Sequence, residues 1–333
     1  MPTDSGYQLV HLNNGICSVR SLADAETFHP VIGPVAEAEA LYVNQLRLRE
    51  RLQNHTGEFV IWDVGLGAAA NSLTVLRATR DLACNIRLIS FDHTLEPLEF
   101  ALKNAAALGY FGGYEQHLET FIREQRVTFQ DGAQTVNWEF HHGDFPAWLA
   151  RKVAAGVSPA VEPGVSPGGP IVGGTARLEH LNADPGGRMP PSTAPHAILF
   201  DAYSPARNPS MWTLPLFTNL FRMLDPQRPC AMPTYSRSTI LRTTLLLAGF
   251  YVGVGHATGE KEQTTIAAND LSLLAEPLDA RWLERARRSH SAEPMVEPVY
   301  RIASLSSENW VRLQAHPQFQ TDGKTLPPLT VPA

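Results

Sequence analysis

The chain has few cysteines, no long apolar run and no excess of positive charge, and each shortage removes a class of protein. Its three cysteines, Cys17, Cys84 and Cys230, lie far apart with no C-x-x-C pair. That spacing excludes a disulfide framework and a cysteine zinc site, and it fits a reducing cytoplasm. No run approaches the roughly eighteen apolar residues that a membrane helix needs. The opening Met-Pro-Thr-Asp-Ser has no basic segment leading into an apolar one, so a soluble, unexported, cytoplasmic protein is expected. With a net charge of −6 there is no whole-molecule basic field, and any contact with RNA has to come from a local patch. What remains is 333 residues at 44% hydrophobic content, enough for one large α/β domain with extensions or for two small ones.

The stretch around which the chain is organised is Phe59-Val-Ile-Trp-Asp63-Val-Gly65-Leu-Gly67-Ala-Ala-Ala-Asn71. Four apolar residues rise into an acid and small residues follow, after which Ser72-Leu-Thr-Val-Leu76 has a helical pattern, so a strand, a tight turn and a helix start are predicted. Glycines at 65 and 67 allow a ligand to approach the backbone, and the helix start supplies free N–H groups. This is the nucleotide-binding first turn of a doubly wound α/β sheet. Gly65, Gly67 and Ala70 also satisfy the dinucleotide spacing G-x-G-x-x-G/A, so a nicotinamide or flavin stays open as the ligand. Asp63 weighs towards a cationic ligand such as S-adenosyl-L-methionine, because a carboxylate there repels a pyrophosphate.

Along the chain, Tyr7–Leu12 and Ile16–Arg20 read as a hairpin about Asn13-Asn14-Gly15. A helix is predicted from about Val35 to Arg51, ending in Arg47, Arg49 and Arg51 as a solvated basic end. The strand Ile86–Phe91 ends in Asp92, 25 residues beyond Gly67, where an acid accepts hydrogen bonds from ribose hydroxyls. Helices follow over about 95–108 and 115–125, and then the strand Asn137–His142. Asp144 comes next, either beside an adenine amino group or as an ordinary turn residue. His141 and His142 are adjacent, which is not the spacing of a helical metal pair, and no metal site is expected.

Residues 154–195 are rich in Gly and Pro and read as a mobile insertion. The strand His196–Phe200 then delivers Asp201-Ala-Tyr-Ser-Pro205-Ala-Arg-Asn208-Pro-Ser-Met-Trp212, a carboxylate at a strand's carboxyl end on a proline-stiffened loop. Further strands near 230–235, 250–255 and 263–268 follow, with the helix 238–248 among them. They give parallel strands followed by an antiparallel pair. The expected layout is an extension over 1–55, an α/β domain over 56–275 and a tail over 276–333. That tail carries a short basic helix, Asp279–Arg288, with a solvated face, and is otherwise partly ordered.

These residues resemble a known family, the S-adenosyl-L-methionine-dependent enzymes that methylate the aminomethyl group of 5-aminomethyl-2-thiouridine at the tRNA wobble position. The Asp201–Trp212 block is similar to that family's D-A-F-x-P-x-K-N-P-x-M-W. The segments His29-Pro-x-x-Gly-Pro34 and Gly259-Glu-Lys261 are similar to its stand-alone branch. The resemblance implies a Rossmann-like class I methyltransferase fold over 56–275. It assigns donor contacts to Asp63, Gly65, Gly67, Asn71, Asp92 and Asp144, and the role of catalytic acid to Asp201. On the acceptor side it points to Tyr203, Pro205, Arg207, Asn208 and Lys261. The chain departs from the family at Ala69, usually glycine, and in its long insertion. The flavin-dependent half of the bifunctional members has no counterpart in these 333 residues, so the resemblance implies that a separate enzyme supplies the amine. An NAD(P)-dependent oxidoreductase would leave Asp63 and the 201–212 block unexplained. A non-catalytic donor-binding regulator would leave Asp201 unexplained.

Overall fold

The computed structural model describes residues 6–156, 193–259 and 262–320. Most of the expected insertion, together with Lys261, lies outside the described residues.

The chain opens with the expected hairpin, β1 (Tyr7–His11) against β2 (Cys17–Ser21), with Tyr7 opposite Ser21. The single helix expected over 35–51 is instead three pieces. They are α1 (Pro34–Ala38), a π-helical turn over Glu39–Asn44 and α2 (Leu48–Gln53), with Arg47 left-handed at φ 49° before α2. The widened turn brings the consecutive residues Leu41, Tyr42 and Val43 all into the core, which a regular α-helix cannot do on one face. The expected solvated basic end also divides. Arg47 and Arg49 pair with Glu50 and Asp81 at the surface, whereas Arg51 turns inward and donates to the carbonyls of His196 and Pro229 at 2.7 and 3.1 Å.

The α/β body then runs β3 (Glu58–Val64), α3 (Ala70–Thr79), β4 (Asn85–Asp92), α4 (Glu96–Lys103), α5 (Ala105–Leu108), α6 (Glu115–Glu124), β5 (Arg126–Asp131), β6 (Gln134–His142) and α7 (Phe145–Gly156). It continues with β7 (Ala197–Phe200), α8 (Leu214–Met223), β8 (Ala231–Thr234), α9 (Thr239–Ala248), β9 (Tyr251–Gly255) and β10 (Thr264–Ala268). Eight strands form one sheet in the order β5-β6-β4-β3-β7-β8-β10-β9. Strands β6, β4, β3, β7 and β8 are parallel, and β10 lies antiparallel between β8 and β9. From β3 the chain winds outward through β4 and β6 and returns on the other side at β7. The crevice of a doubly wound sheet therefore opens at the carboxyl ends of β3 and β7. Alternate residues of β3 feed the two faces: Phe59 and Ile61 pack in one core, and Val60, Trp62 and Val64 in the other. The edge strand β5 was not anticipated, although alternating Val127 and Phe129 before Asp131-Gly132 carry its signal.

The segment beyond 275 was expected to be only partly ordered, yet its described residues are built into the body. In α10 (Ala280–Arg288), Trp282, Leu283 and Ala286 are buried while Arg281, Arg285, Arg287 and Arg288 are exposed. After α11 (Ser307–Gln314), the short α12 (Pro317–Gln320) brings Gln318 against the sheet edge. There it exchanges hydrogen bonds with both backbone groups of Val252 and donates to the Leu278 carbonyl, each at 2.8 Å. Apolar burial and satisfied backbone groups hold this segment in place. No helix among the described residues is long and apolar enough to cross a membrane.

Replacing Gln318 by Ala strands buried backbone groups of β9, and a stability loss of about 2–4 kcal/mol is expected in urea unfolding. An unchanged unfolding curve would mean that the C-terminal segment is not part of the cooperative unit.

Candidate active site

A cavity of about 480 Å³ opens at the carboxyl ends of β3, β4, β6 and β7. Of the residues singled out from the sequence, Gly65, Gly67, Asn71, Asp92, Asp144, Asp201, Tyr203 and Asn208 line it. Asp63, Pro205 and Arg207 do not line it, and Arg207 is exposed.

The donor half is the turn after β3. The Gly65 N–H donates to the Phe91 carbonyl at 2.9 Å and the Gly67 N–H to the Asp92 carboxylate at 3.0 Å, so the end of β4 fastens the turn. Gly65 sits at φ 92°, and a Cβ there would lie 2.8 Å from the Asp201 carbonyl oxygen, so any side chain would push the two strand ends apart. Gly67 at φ 50° packs under the Phe28 ring. Ala69, where the resembling family carries glycine, keeps the glycine-like conformation at φ 59° and forms the start of α3. The departure in residue type therefore leaves the shape of the turn intact. Tyr110 secures the turn from below by donating to the Ala68 carbonyl. Asp92 is seated at the rim, where its other oxygen accepts the His93 N–H. Asp144 caps α7 by accepting the Ala147 N–H at 2.7 Å and remains exposed at the cavity edge.

Asp63 differs from the expectation of direct donor contact. It is only 1% exposed, and one carboxylate oxygen accepts the hydroxyls of Ser72 and Ser90 at 2.7 and 2.9 Å. Its other oxygen is buried without a hydrogen-bond partner. Burial raises its pKa to about 7, with Asp201 and Asp92 adding to the rise and the two serines opposing it.

The opposite wall of the cavity is the loop after β7, and side chains from separate parts of the chain hold it at consecutive residues. Tyr42 donates to the Phe200 carbonyl at 3.2 Å, Asn71 to the Asp201 carboxylate at 2.8 Å, Tyr235 to the Ala202 carbonyl at 3.0 Å and Trp212 to the Tyr203 carbonyl at 2.7 Å. Ser204 donates its N–H at 3.1 Å and its hydroxyl to Glu26. Burial, with Asp201 nearby, raises the Tyr42 and Tyr235 phenols well above their ordinary value, so both remain donors. Trp212 is thus a packing and anchoring residue, buried beneath the loop. Tyr203 rests against Phe28 with ring centroids 5.7 Å apart.

Sequence reasoning gave no site role to the N-terminal segment, yet Glu26, Phe28, His29 and Glu37 all line the cavity. No local pattern marks them as site residues, since Glu26, Phe28 and His29 meet Ser204, Tyr203 and Asp201 only across the fold. They make the lining predominantly acidic: Glu26, Glu37, Asp92, Asp144 and Asp201 face Arg20 and two histidines. Such a lining favours a cationic ligand and disfavours a pyrophosphate. The Asn71 amide oxygen is buried without a partner, leaving an acceptor for an ammonium beside the glycine turn. The residues present therefore fit S-adenosyl-L-methionine. Among the described residues, no cluster of His, Cys, Asp and Glu could hold a metal ion.

Residues 189–270 match the family described as S-adenosyl-L-methionine-dependent methyltransferase. Two curated relatives are both the tRNA 5-methylaminomethyl-2-thiouridine biosynthesis bifunctional protein MnmC. The one from Ectopseudomonas mendocina is 32% identical over 120 residues, which is 34% of this chain and 18% of that protein. The one from Methylibium petroleiphilum is 33% identical over 100 residues, 30% of this chain and 15% of that protein. The chain thus spans less than a fifth of the length of either relative. Among solved structures, MnmC2 from Aquifex aeolicus superposes with a TM-score of 0.58 at 19% identity, covering 94% of this chain and 84% of that one.

The raised pKa of Asp63 has a thermodynamic consequence. The unfolded carboxyl ionises near 3.8 while the folded one keeps its proton until about 7, so the folded state binds more protons between these values. Stability therefore falls as pH rises through that window and levels off above it, by an amount on the order of a few kcal/mol. Asp63→Asn is expected to remove that slope, which urea unfolding across the window would read. Parallel curves for the two proteins would contradict the assignment.

Proposed function

We propose that this chain, an S-adenosyl-L-methionine-dependent methyltransferase of MnmC-like type, transfers the donor's methyl group to the aminomethyl group of a wobble uridine in tRNA. The family match decides the choice of ligand that the glycine turn left open: the methyl donor is S-adenosyl-L-methionine rather than a nicotinamide. The acceptor is our own reading. The observation that carries it is Asp201, a carboxylate at the end of β7, fixed by Asn71 inside an acidic cavity suited to an incoming ammonium.

Bound S-adenosyl-L-methionine supplies an electrophilic methyl carbon on a positively charged sulfur. The chain's own residues have three tasks. The glycine turn and Asn71 seat the donor's amino-acid end, with Asp63 behind them as a buried acidic support rather than a contact. Asp92 meets the ribose and Asp144 the adenine edge at the rim. Asp201 accepts a hydrogen bond from the substrate ammonium, aims its nitrogen at the methyl carbon and assists loss of its proton. Tyr203, with Phe28 beside it, offers a face on which the base can rest, and Asn208 borders it. Arg207, exposed next to this loop, and Lys261 are proposed phosphate contacts that hold the RNA locally against an otherwise acidic surface.

The test is transfer of labelled methyl from S-adenosyl-L-methionine to tRNA carrying 5-aminomethyl-2-thiouridine. Label is expected on the wobble base. Asp201→Asn is expected to lower kcat at least about 100-fold while the donor dissociation constant changes only a few-fold. A wild-type protein that binds the donor but leaves this tRNA unlabelled would overturn the acceptor assignment.

A further inference from the structure

In the reaction proposed above, the proton released by the substrate ammonium has no stated destination. A free aspartate binds a proton about 2.5 units less tightly than a free imidazole and far less tightly than an alkylamine, so Asp201 alone is a poor place for it to stay. Directly behind Asp201 lies His29. Its Nε2 is 3.5 Å from Asp201 Oδ2, the oxygen that also accepts from Asn71, and its Nδ1 faces Glu37 Oε1 at 4.0 Å. The His29 and Glu37 side chains are only 8% and 6% exposed, and both residues line the cavity. His29 also holds a left-handed backbone at φ 47°. That conformation is disfavoured for a non-glycine residue and persists where surrounding structure imposes it.

We infer that His29 is the positioning residue for Asp201 and receives, through it, the proton that the substrate ammonium must lose, with Glu37 facing the far ring nitrogen. The inference rests on the amine-methylating reading above. In the inferred cycle the ring hydrogen starts on Nδ1, which is buried on the Glu37 side without a hydrogen-bond partner, and Nε2 faces Asp201. The ammonium hydrogen-bonds to Asp201 through the oxygen not engaged by Asn71, and one proton passes through the carboxylate to Nε2. The result is an imidazolium between two carboxylates. The nitrogen's freed electron pair then bonds to the methyl carbon as the carbon–sulfur pair returns to sulfur. The products are a secondary ammonium and a neutral thioether, and the proton leaves His29 for solvent when product departs. The other charged groups around the cavity are Glu26 and Arg20 on the N-terminal side and Asp92, His93 and Asp144 across it. Tyr42 and Tyr235, both held protonated by burial, also lie close enough to interact with Asp201 and Glu37.

Methyl transfer measured across pH with His29→Gln, His29→Ala and Glu37→Gln tests this. The glutamine side chain can fill the place of the ring but cannot take up a proton. For His29→Gln, kcat is expected to fall about 10- to 100-fold near neutrality with donor affinity unchanged. That deficit should close as pH passes the amine's own pKa, where the substrate arrives neutral. Glu37→Gln should move in the same direction by less, and His29→Ala should lose rate at every pH with a raised KM for the acceptor. A His29→Gln profile that matches wild type, or a deficit of equal size at every pH, would overturn the inference while leaving the function standing. Wild type that moves no label at any pH would sink both. Independently of turnover, ¹⁵N spectra of labelled histidine at mildly alkaline pH should place the His29 ring hydrogen on Nδ1. A hydrogen on Nε2 instead would contradict the relay.

Discussion

The loop after β7 is held one residue at a time, and the rest of the site depends on that. Tyr42, Asn71, Tyr235, Trp212 and Glu26 each fasten one of the consecutive residues 200–204, and they come from five separate stretches of chain. Without these anchors the loop would sample many orientations, and aligning Asp201 for its proposed role would add to the barrier. Here the alignment is completed on folding, when the helices and strands that bear the anchors pack together. The anchoring also explains why Gly65 has no side chain, since the backbone of Asp201 occupies the space that a Cβ would fill.

A second consequence follows from parallel strands ending at one edge. Asp92 and Asp201, which close β4 and β7, converge on the same cavity, while Asp63 lies in β3 behind it. Glu26 and Glu37 are added from the N-terminal segment. Burial is the main reason that Asp63 holds its proton to about pH 7, and repulsion from Asp201 and Asp92 adds to it. A donor bearing a sulfonium and an ammonium, and an acceptor bearing a second ammonium, relieve that repulsion. The charge pattern and the proposed chemistry therefore select the same ligands. The same field disfavours phosphates, so the proposed RNA acceptor would need local basic residues to hold it.

Much of the body was legible because it depends on short-range pattern. The apolar run before Asp63, the glycine turn and the alternation of strands and helices appear where expected, as does the terminal antiparallel pair. The position of Asp201 was legible as well, since it follows β7 and lines the cavity, as an acid at the end of a parallel strand should. Other features were hidden for physical reasons. The π-helical turn is dictated by three consecutive residues seeking the core. Arg51 reads as a surface cation until its carbonyl partners arrive from residues 196 and 229. Trp282, Leu283 and Ala286 lie among arginines, and only their place in the second apolar core, with α11 alongside, makes that short segment a buried face. The strand β5 is different, because its alternation and its Asp-Gly turn were present in the sequence and were passed over.

By itself, then, the amino-acid sequence determined the class of fold, the position of the donor turn and the identity of the strand-end acids, because periodicity, glycine placement and strand-terminal residues act over a few neighbouring positions. Tertiary structure alone decided which side chains surround those acids. It set Asp63 behind the wall rather than in it, gave Asp201 its anchors, and placed His29 and Glu37 beside a carboxylate more than 160 residues away. Such contacts depend on the sum of many packing choices, and no local pattern encodes which distant residues that sum will bring together.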